Sequence, residues 1–145
     1  MGIVAGLIFT VLTITALIHT AWAFGVTWPA KDRQTLVDAV LGAEGARNMP
    51  SPALTLAVAA GMLAAGGIAL WGADVVDFPL PEWMRTLGLA VVALIFLLRG
   101  VVSYLPIALP EVQPFYRLNR LYYSPLILMI SVGYLVLLVA HLSSV

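Results

Sequence analysis

Four stretches of about twenty residues, each long enough to cross the hydrocarbon core of a bilayer as a helix, constrain this chain more than any other feature. They run from about Ile3 to Phe24, Pro52 to Trp71, Trp83 to Leu105 and Tyr123 to Leu142. The first carries no charge, and only Thr10, Thr13, Thr15, His19 and Thr20 are markedly polar in it. Arg99 is the one full charge well inside a span. Lipid offers no hydrogen bonds to open backbone, so each stretch is expected to be helical. The composition agrees: 62% of the residues are hydrophobic and 10% are charged. Soluble domains run at roughly 45–50% and about 25%. The expected fold is an all-α membrane protein, a single four-transmembrane-helix bundle over residues 1–145, with short interfacial helices in loops one and three.

Local signals mark the starts of the helices. Ser51-Pro52 and Ser124-Pro125 each read as an N-cap Ser followed by Pro at the first helical position. Pro81 precedes Glu82 and Trp83, and the Glu suits the positive end of a helix dipole. In loop one, Asp32 to Leu41 places Leu36, Val37, Val40 and Leu41 on one helical face, the pattern of a short interfacial helix. In loop three, from about Pro106 to Tyr122, Val112, Phe115 and Leu118 recur at helical spacing and predict a second one. Ala21-Trp22-Ala23 imitates a signal-peptide cleavage site. No Lys or Arg precedes the first span, however, so it reads as a retained helix. Gly2 with Gly6 does not fit the myristoylation pattern.

Charge sets the expected orientation. Loops one and three hold Lys31, Arg33, Arg47, Arg117 and Arg120, while the opposite side has only Arg85. The positive-inside rule then places loops one and three in the cytoplasm and both termini outside. Trp22, Trp28, Trp71, Trp83, Tyr122 and Tyr123 fall at the span boundaries, as an interfacial aromatic belt does.

The same composition excludes several function classes. Seven basic and seven acidic residues cancel, so no basic stripe exists to bind nucleic acid. The absence of Cys removes disulfides, thiolate metal sites and Cys nucleophiles. No cluster of metal ligands and no phosphate-binding, dinucleotide or serine-hydrolase motif is present. His19 and His141 lie near opposite faces, which disfavours a haem held between them. The spans hold no Asp or Glu at all, which weakens a coupled transporter.

Two features remain that carry function. Small residues recur four apart: Ala57, Gly61, Ala65 and Ala69 in the second span, Gly2 and Gly6 in the first. Such rows let helix backbones approach closely, either within the bundle or against a partner. The second feature is a layer of polar residues. If the third span enters near Trp83 and rises about 1.5 Å per residue, Arg99 sits in the last turn or two before the cytoplasmic face. His19 lies at similar depth. His19, Trp22, Arg99, Tyr104, Asn119 and Tyr123 are therefore candidates for one ligand-binding pocket, within reach of Asp32, Asp38, Glu44 and Glu111. A lone intramembrane Arg is a functional hypothesis by default. Its plainer role is to snorkel, and the plainer role of His19 is a hydrogen bond to a neighbouring helix.

Several segments also resemble a known family. They are Ile18-His19-Thr20-Ala21-Trp22-Ala23-Phe24-Gly25 with Trp28-Pro29, Met49-Pro50-Ser51-Pro52, Phe96-Leu97-Leu98-Arg99-Gly100, and the run from Pro114 to Leu126 that includes Arg117-Leu118-Asn119-Arg120-Leu121-Tyr122-Tyr123-Ser124-Pro125. Together they are similar to a family of short bacterial four-helix membrane proteins labelled domain of unknown function 3995. The resemblance covers nearly the whole chain. It implies a four-helix architecture and, with a bacterial source, an inner-membrane location. It also picks out the same polar layer but supplies no reaction. In that family an Asp is usual at the position of Asn119, and a small residue or Cys is common near Ile127. The Asn removes a charge that pairs readily with an Arg.

Two readings of function follow. One is a non-enzymatic accessory subunit of a membrane complex, or a self-associating bundle, whose partners are the bilayer and either another membrane protein or a second copy. The other is a binder or modifier of a lipid, isoprenoid or quinone-like molecule, with His19 as hydrogen-bond donor or acid/base and no other cofactor. A transporter acting as an oligomer ranks last.

Overall fold

The computed structural model describes residues 1–42, 47–105 and 112–144. Four helices in it are long and apolar enough to cross a membrane, and no strand occurs among the described residues. Helix α1 is Gly2–Ala23, α2 is Arg33–Val40, α3 is Pro52–Gly72 and α4 is Glu82–Val102. Phe115–Leu118 forms α5, Asn119–Tyr123 a π-helical segment, and Ser124–Leu142 forms α6. The last three are continuous, so the fourth span is the 28-residue helix Phe115–Leu142. Glu44 and Glu111, expected near the polar layer, lie outside the described residues.

The boundaries follow from local chemistry. Ser51 accepts a hydrogen bond from the Leu54 amide, with Pro52 in the first helical turn, as the sequence predicts. Asp32 caps α2 in the same way through the Thr35 amide at 2.8 Å. That bond holds the Asp32 carboxyl below the usual carboxylate range. The cap therefore contributes fully above the usual carboxylate range, and its contribution is lost as pH falls below that range through the lowered value. Helix α1 ends with Gly25 at φ 88°, Val26 donating to the Ala21 carbonyl and Gly25 to that of Trp22. This is a Schellman closure. Helix α3 closes the same way, with Val75 donating to Leu70 and Asp74 to Trp71. Here Asp74 takes the left-handed conformation at φ 55°, a position that usually goes to Gly.

The start of the fourth span departs from the expectation. Ser124 is no N-cap, because helix already precedes it, and the helical residues of loop three form the first turn of the span itself. Pro125 lacks an N–H and crowds the carbonyl one turn back. The chain answers by widening just before it: the Ser124 amide reaches the Asn119 carbonyl five residues back. A π-turn of this kind absorbs a helix irregularity without ending the helix.

The spans form two helical hairpins, α1 against α3 and α4 against α6, which pack through a shared core. Loops one and three lie at one end; loop two and the termini lie at the other. Ala5, Ile8 and Leu12 of α1 meet Ala65 and Ala69 of α3, Leu89, Val92 and Ala93 of α4, and Ile130, Tyr134 and Leu137 of α6. The Tyr134 hydroxyl donates to the Ala65 carbonyl at 2.7 Å, tying the hairpins together, and its ring stacks on Phe96 at 5.9 Å. Ser131 donates to Ala93 at 2.9 Å within the second hairpin. Thr10, Thr15 and Thr20 each bond a carbonyl one turn back in α1 at 2.8 Å. Outside the core the helices present Ile3, Leu7, Leu17, Leu94, Ile95, Met129 and Val139 to the surroundings. Helices apolar on every face suit a lipid environment rather than water.

The small-residue rows divide. Ala65 and Ala69 are buried in the core. Ala57 and Gly61 face outwards, and a Cβ on Gly61 or Gly6 would meet nothing within 4 Å. Gly2 is exposed, with Val75 3.6 Å from its would-be Cβ. The glycines that allow close approach within the bundle are others. A Cβ on Gly66 would lie 2.9 Å from Phe9, and one on Gly100 would lie 2.5 Å from Leu128. Gly100→Val is expected to destabilise the bundle by about 1–3 kcal/mol through overpacking. Gly61→Val is expected to shift the monomer by no more than about 0.5 kcal/mol. Tyr134→Phe is expected to cost about 0.5–1.5 kcal/mol, the value of one interhelical hydrogen bond. Reversible unfolding in bicelles measures all three.

Candidate functional site

Arg99 projects from the last turn of α4. Its Nη1 donates to the Ser103 hydroxyl at 2.7 Å and its Nη2 to the Asn119 carboxamide oxygen at 3.1 Å. The Ser103 hydroxyl in turn donates to the Arg99 carbonyl at 3.2 Å. Asn119 is 1% exposed and opens the π-helical segment, and its oxygen also accepts from the Ser124 hydroxyl at 3.3 Å. The guanidinium is thus aimed by neutral oxygens from two helices. No carboxylate lies within ion-pair distance of it among the described residues, and the residue as a whole is exposed.

A second cation sits beside this one in sequence. The Arg120 guanidinium lies over the Tyr104 ring at 5.5 Å and over the Tyr116 ring at 5.3 Å, and it donates to the Tyr116 hydroxyl. Tyr104 donates to the Arg120 carbonyl at 2.9 Å, which closes α4 onto the π-turn. Tyr123 donates to the Ala39 carbonyl at 3.3 Å and so carries α2 across to the second hairpin.

His19 and Trp22 stand apart from this group. The His19 Nδ1 faces the Thr15 carbonyl at 2.8 Å, so Nδ1 carries the proton of the neutral ring and Nε2 is left as acceptor. The partner is its own helix rather than a neighbouring one. The His19 ring packs on Trp22 at 4.8 Å, and the Trp22 indole N–H donates to the Trp28 carbonyl at 2.8 Å. No hydrogen bond, ion pair or ring contact among the described residues joins His19 or Trp22 to Arg99, Tyr104, Asn119 or Tyr123. The six residues occupy one end of the bundle as two groups, one on each hairpin.

Sequence reasoning missed two features. One is a cavity of about 310 Å³ where α1 ends, α2 passes and α3 begins, lined by Trp22, Val26, Thr27, Arg33, Leu36 and Met49 among others. Its only signal was the apolar face of α2. The other lies at the loop-two end. Arg85 faces Asp74 at 2.5 Å, Glu82 at 3.3 Å and Asp77 at 3.8 Å, and lies over the Trp71 ring at 5.3 Å. The buried His141 Nε2 is 3.1 Å from the Thr86 hydroxyl and 3.4 Å from the same Glu82 carboxylate. The crowding of acids around one Arg in loop two was the signal for it. All ion pairs among the described residues lie here, and at the other end Lys31, Arg33, Arg47, Arg99, Arg117 and Arg120 have none.

Four apolar spans with a polar layer under one end define an integral membrane protein of the four-helix kind. The family model described as "Protein of unknown function (DUF3995)" matches residues 12–134, and the chain belongs to that family. No curated protein and no solved structure matches it. The matched region contains the whole Arg99–Asn119 arrangement and stops short of His141.

Arg85→Ala leaves three carboxylates facing one another. It is expected to destabilise the bundle by about 1–3 kcal/mol, well above the effect of Asp74→Ala, whose carboxylate is largely exposed. Thermal unfolding in detergent checks this.

Proposed function

We propose that this protein binds the anionic head of a membrane amphiphile, a lipid or isoprenoid, where α4 meets the π-helical turn. The observation that carries the reading is the Arg99 guanidinium, held by Ser103 and Asn119 with no carboxylate within ion-pair distance among the described residues. A full charge at membrane depth is costly unless it is paired or reaches water or a headgroup. Here its direction is fixed by two neutral acceptors, which pre-organises the remaining N–H donors of the fork. A phosphate or carboxylate takes such a fork with two parallel hydrogen bonds. An uncharged quinone-like ring gains less from it. The reading is one of binding without catalysis, since His19, the obvious acid/base, belongs to the other group.

The same reading places loops one and three in the cytoplasm of a bacterial inner membrane, with α2 lying at the interface. The support is the basic excess on those loops. An outer-face contact is the second reading: Ala57 and Gly61 present a small-residue face that the bundle does not cover, which suits a second copy or an accessory role beside another membrane protein.

Native mass spectrometry of the protein gently extracted from its own membrane tests both. A stoichiometric small mass is expected on the wild type. It should be lost in Arg99→Ala and in Asn119→Asp, since the new carboxylate neutralises Arg99 from within. Equal occupancy in the folded variants sinks the binding reading. A larger mass that Gly61→Leu removes supports association instead. The orientation is tested separately. A membrane-impermeant thiol reagent on intact cells should leave Gln34→Cys unlabelled until the cells are permeabilised, and labelling before permeabilisation reverses the assignment.

A further inference from the structure

We propose that the cavity under α2 is a binding site for a single-chain amphiphile with a monoanionic head, of the fatty-carboxylate class. The inference rests on a different hairpin and different residues from the Arg99 reading and does not depend on it. The volume comes first. About 310 Å³ stands at the lower end of ligand sites, which run from about 300 to 1,000 Å³. It equals roughly ten water molecules at about 30 Å³ each. That accommodates a small head and the first part of one chain. It is too small for the head and both chains of a two-chain lipid.

The lining comes next. Trp22, Val26, Leu36 and Met49 make the wall apolar, and Thr27 and Arg33 are its polar side chains. The Trp22 indole N–H is already spent on the Trp28 carbonyl. Recognition of a head therefore falls to Arg33, with the Thr27 hydroxyl beside it. Arg33 is exposed and has no carboxylate within ion-pair distance among the described residues. The nearest acid in sequence, Asp32, is turned to the Thr35 amide as the cap of α2. Lys31 and Arg47 flank the same loop, also without ion pairs among the described residues. Arg33 is the one charged residue lining the cavity; its complement is a single negative charge, and a carboxylate meets a guanidinium fork with two parallel hydrogen bonds.

Position supplies the route. The cavity lies where α1 ends and is lined by Trp22, whose indole bonds the Trp28 carbonyl beside it; tryptophans are side chains of the type found at a membrane–water boundary. An amphiphile in the bilayer has its head at this level and its chain below it, so it enters without leaving the membrane.

The test uses the full-length chain in phosphatidylcholine nanodiscs and a palmitate analogue bearing a photoreactive diazirine. Labelling is expected to saturate, to map to the cavity wall near Trp22 and Met49, and to be competed by palmitate but not by hexadecanol. Arg33→Gln should lower it by about tenfold or more, the effect of losing a charge-assisted hydrogen bond. Arg33→Glu should favour a hexadecylamine analogue instead. Arg99→Ala should leave labelling of the cavity wall near Trp22 and Met49 unchanged, whatever it does to labelling near α4, which separates this site from the one proposed above. Labelling spread evenly along the helices, equal labelling in Arg33→Gln, or equal competition by hexadecanol would each overturn the proposal.

Discussion

Hydrocarbon cannot donate or accept a hydrogen bond, and nearly every polar atom in this bundle is placed by that constraint. Thr10, Thr15 and Thr20 of α1 bend back to their own helix carbonyls, and the buried Thr13 hydroxyl is an exception with no partner among the described residues. Ser131 and Tyr134 instead spend their hydroxyls across helices, on Ala93 and Ala65. Those two bonds do what apolar contact cannot do in lipid, where a leucine gains little by exchanging lipid for protein. They fix which faces meet. The small side chains of Ala65, Ala69 and Gly66 then let the backbones come close enough for the bonds to form.

The same constraint separates the two ends of the molecule. At the loop-two end Arg85 is answered within the protein by three carboxylates and an aromatic face, and Glu82 is shared with the buried His141. That end is electrostatically closed. Even the left-handed Asp74 serves it, because a Gly there would ease the turn but leave Arg85 without its shortest contact. At the other end the cations outnumber their described partners, and among the described residues Arg99 is held by neutral oxygens alone.

The spans, their number and three of their four starts were legible from the sequence, because a twenty-residue apolar run has few alternatives and Ser51-Pro52 or Pro81-Glu82 act locally. The fourth start was not. Ser124-Pro125 carries the same local signal as Ser51-Pro52, yet the helix runs through it. The deciding event is a π-turn held by Asn119 and Ser124, which depends on α4 lying alongside. Depth along a helix set Arg99 and Asn119 at one level, and the two side chains share a hydrogen bond. Azimuth was not legible. Which way His19 points around α1 depends on how the hairpins pair, and a row such as Ala57–Gly61–Ala65–Ala69 reads identically whether its first half faces core or lipid. Helices that are apolar on every face carry almost no signal of which face is inside.

Asn119 brings these threads together. It is buried and accepts from both Arg99 and Ser124, so its side chain is fixed by the fold rather than free to choose partners. The resemblance puts an Asp at this position in other members. An Asp in the same geometry meets Arg99 as an ion pair and closes this end as Arg85 is closed at the other. With Asn the hydrogen bond survives and the charge does not cancel. One atom exchanged in a side chain thus leaves the scaffold unchanged and converts a self-satisfied pair into a cation with donors to spare. That difference is what the proposed binding of an outside anion at Arg99 rests on.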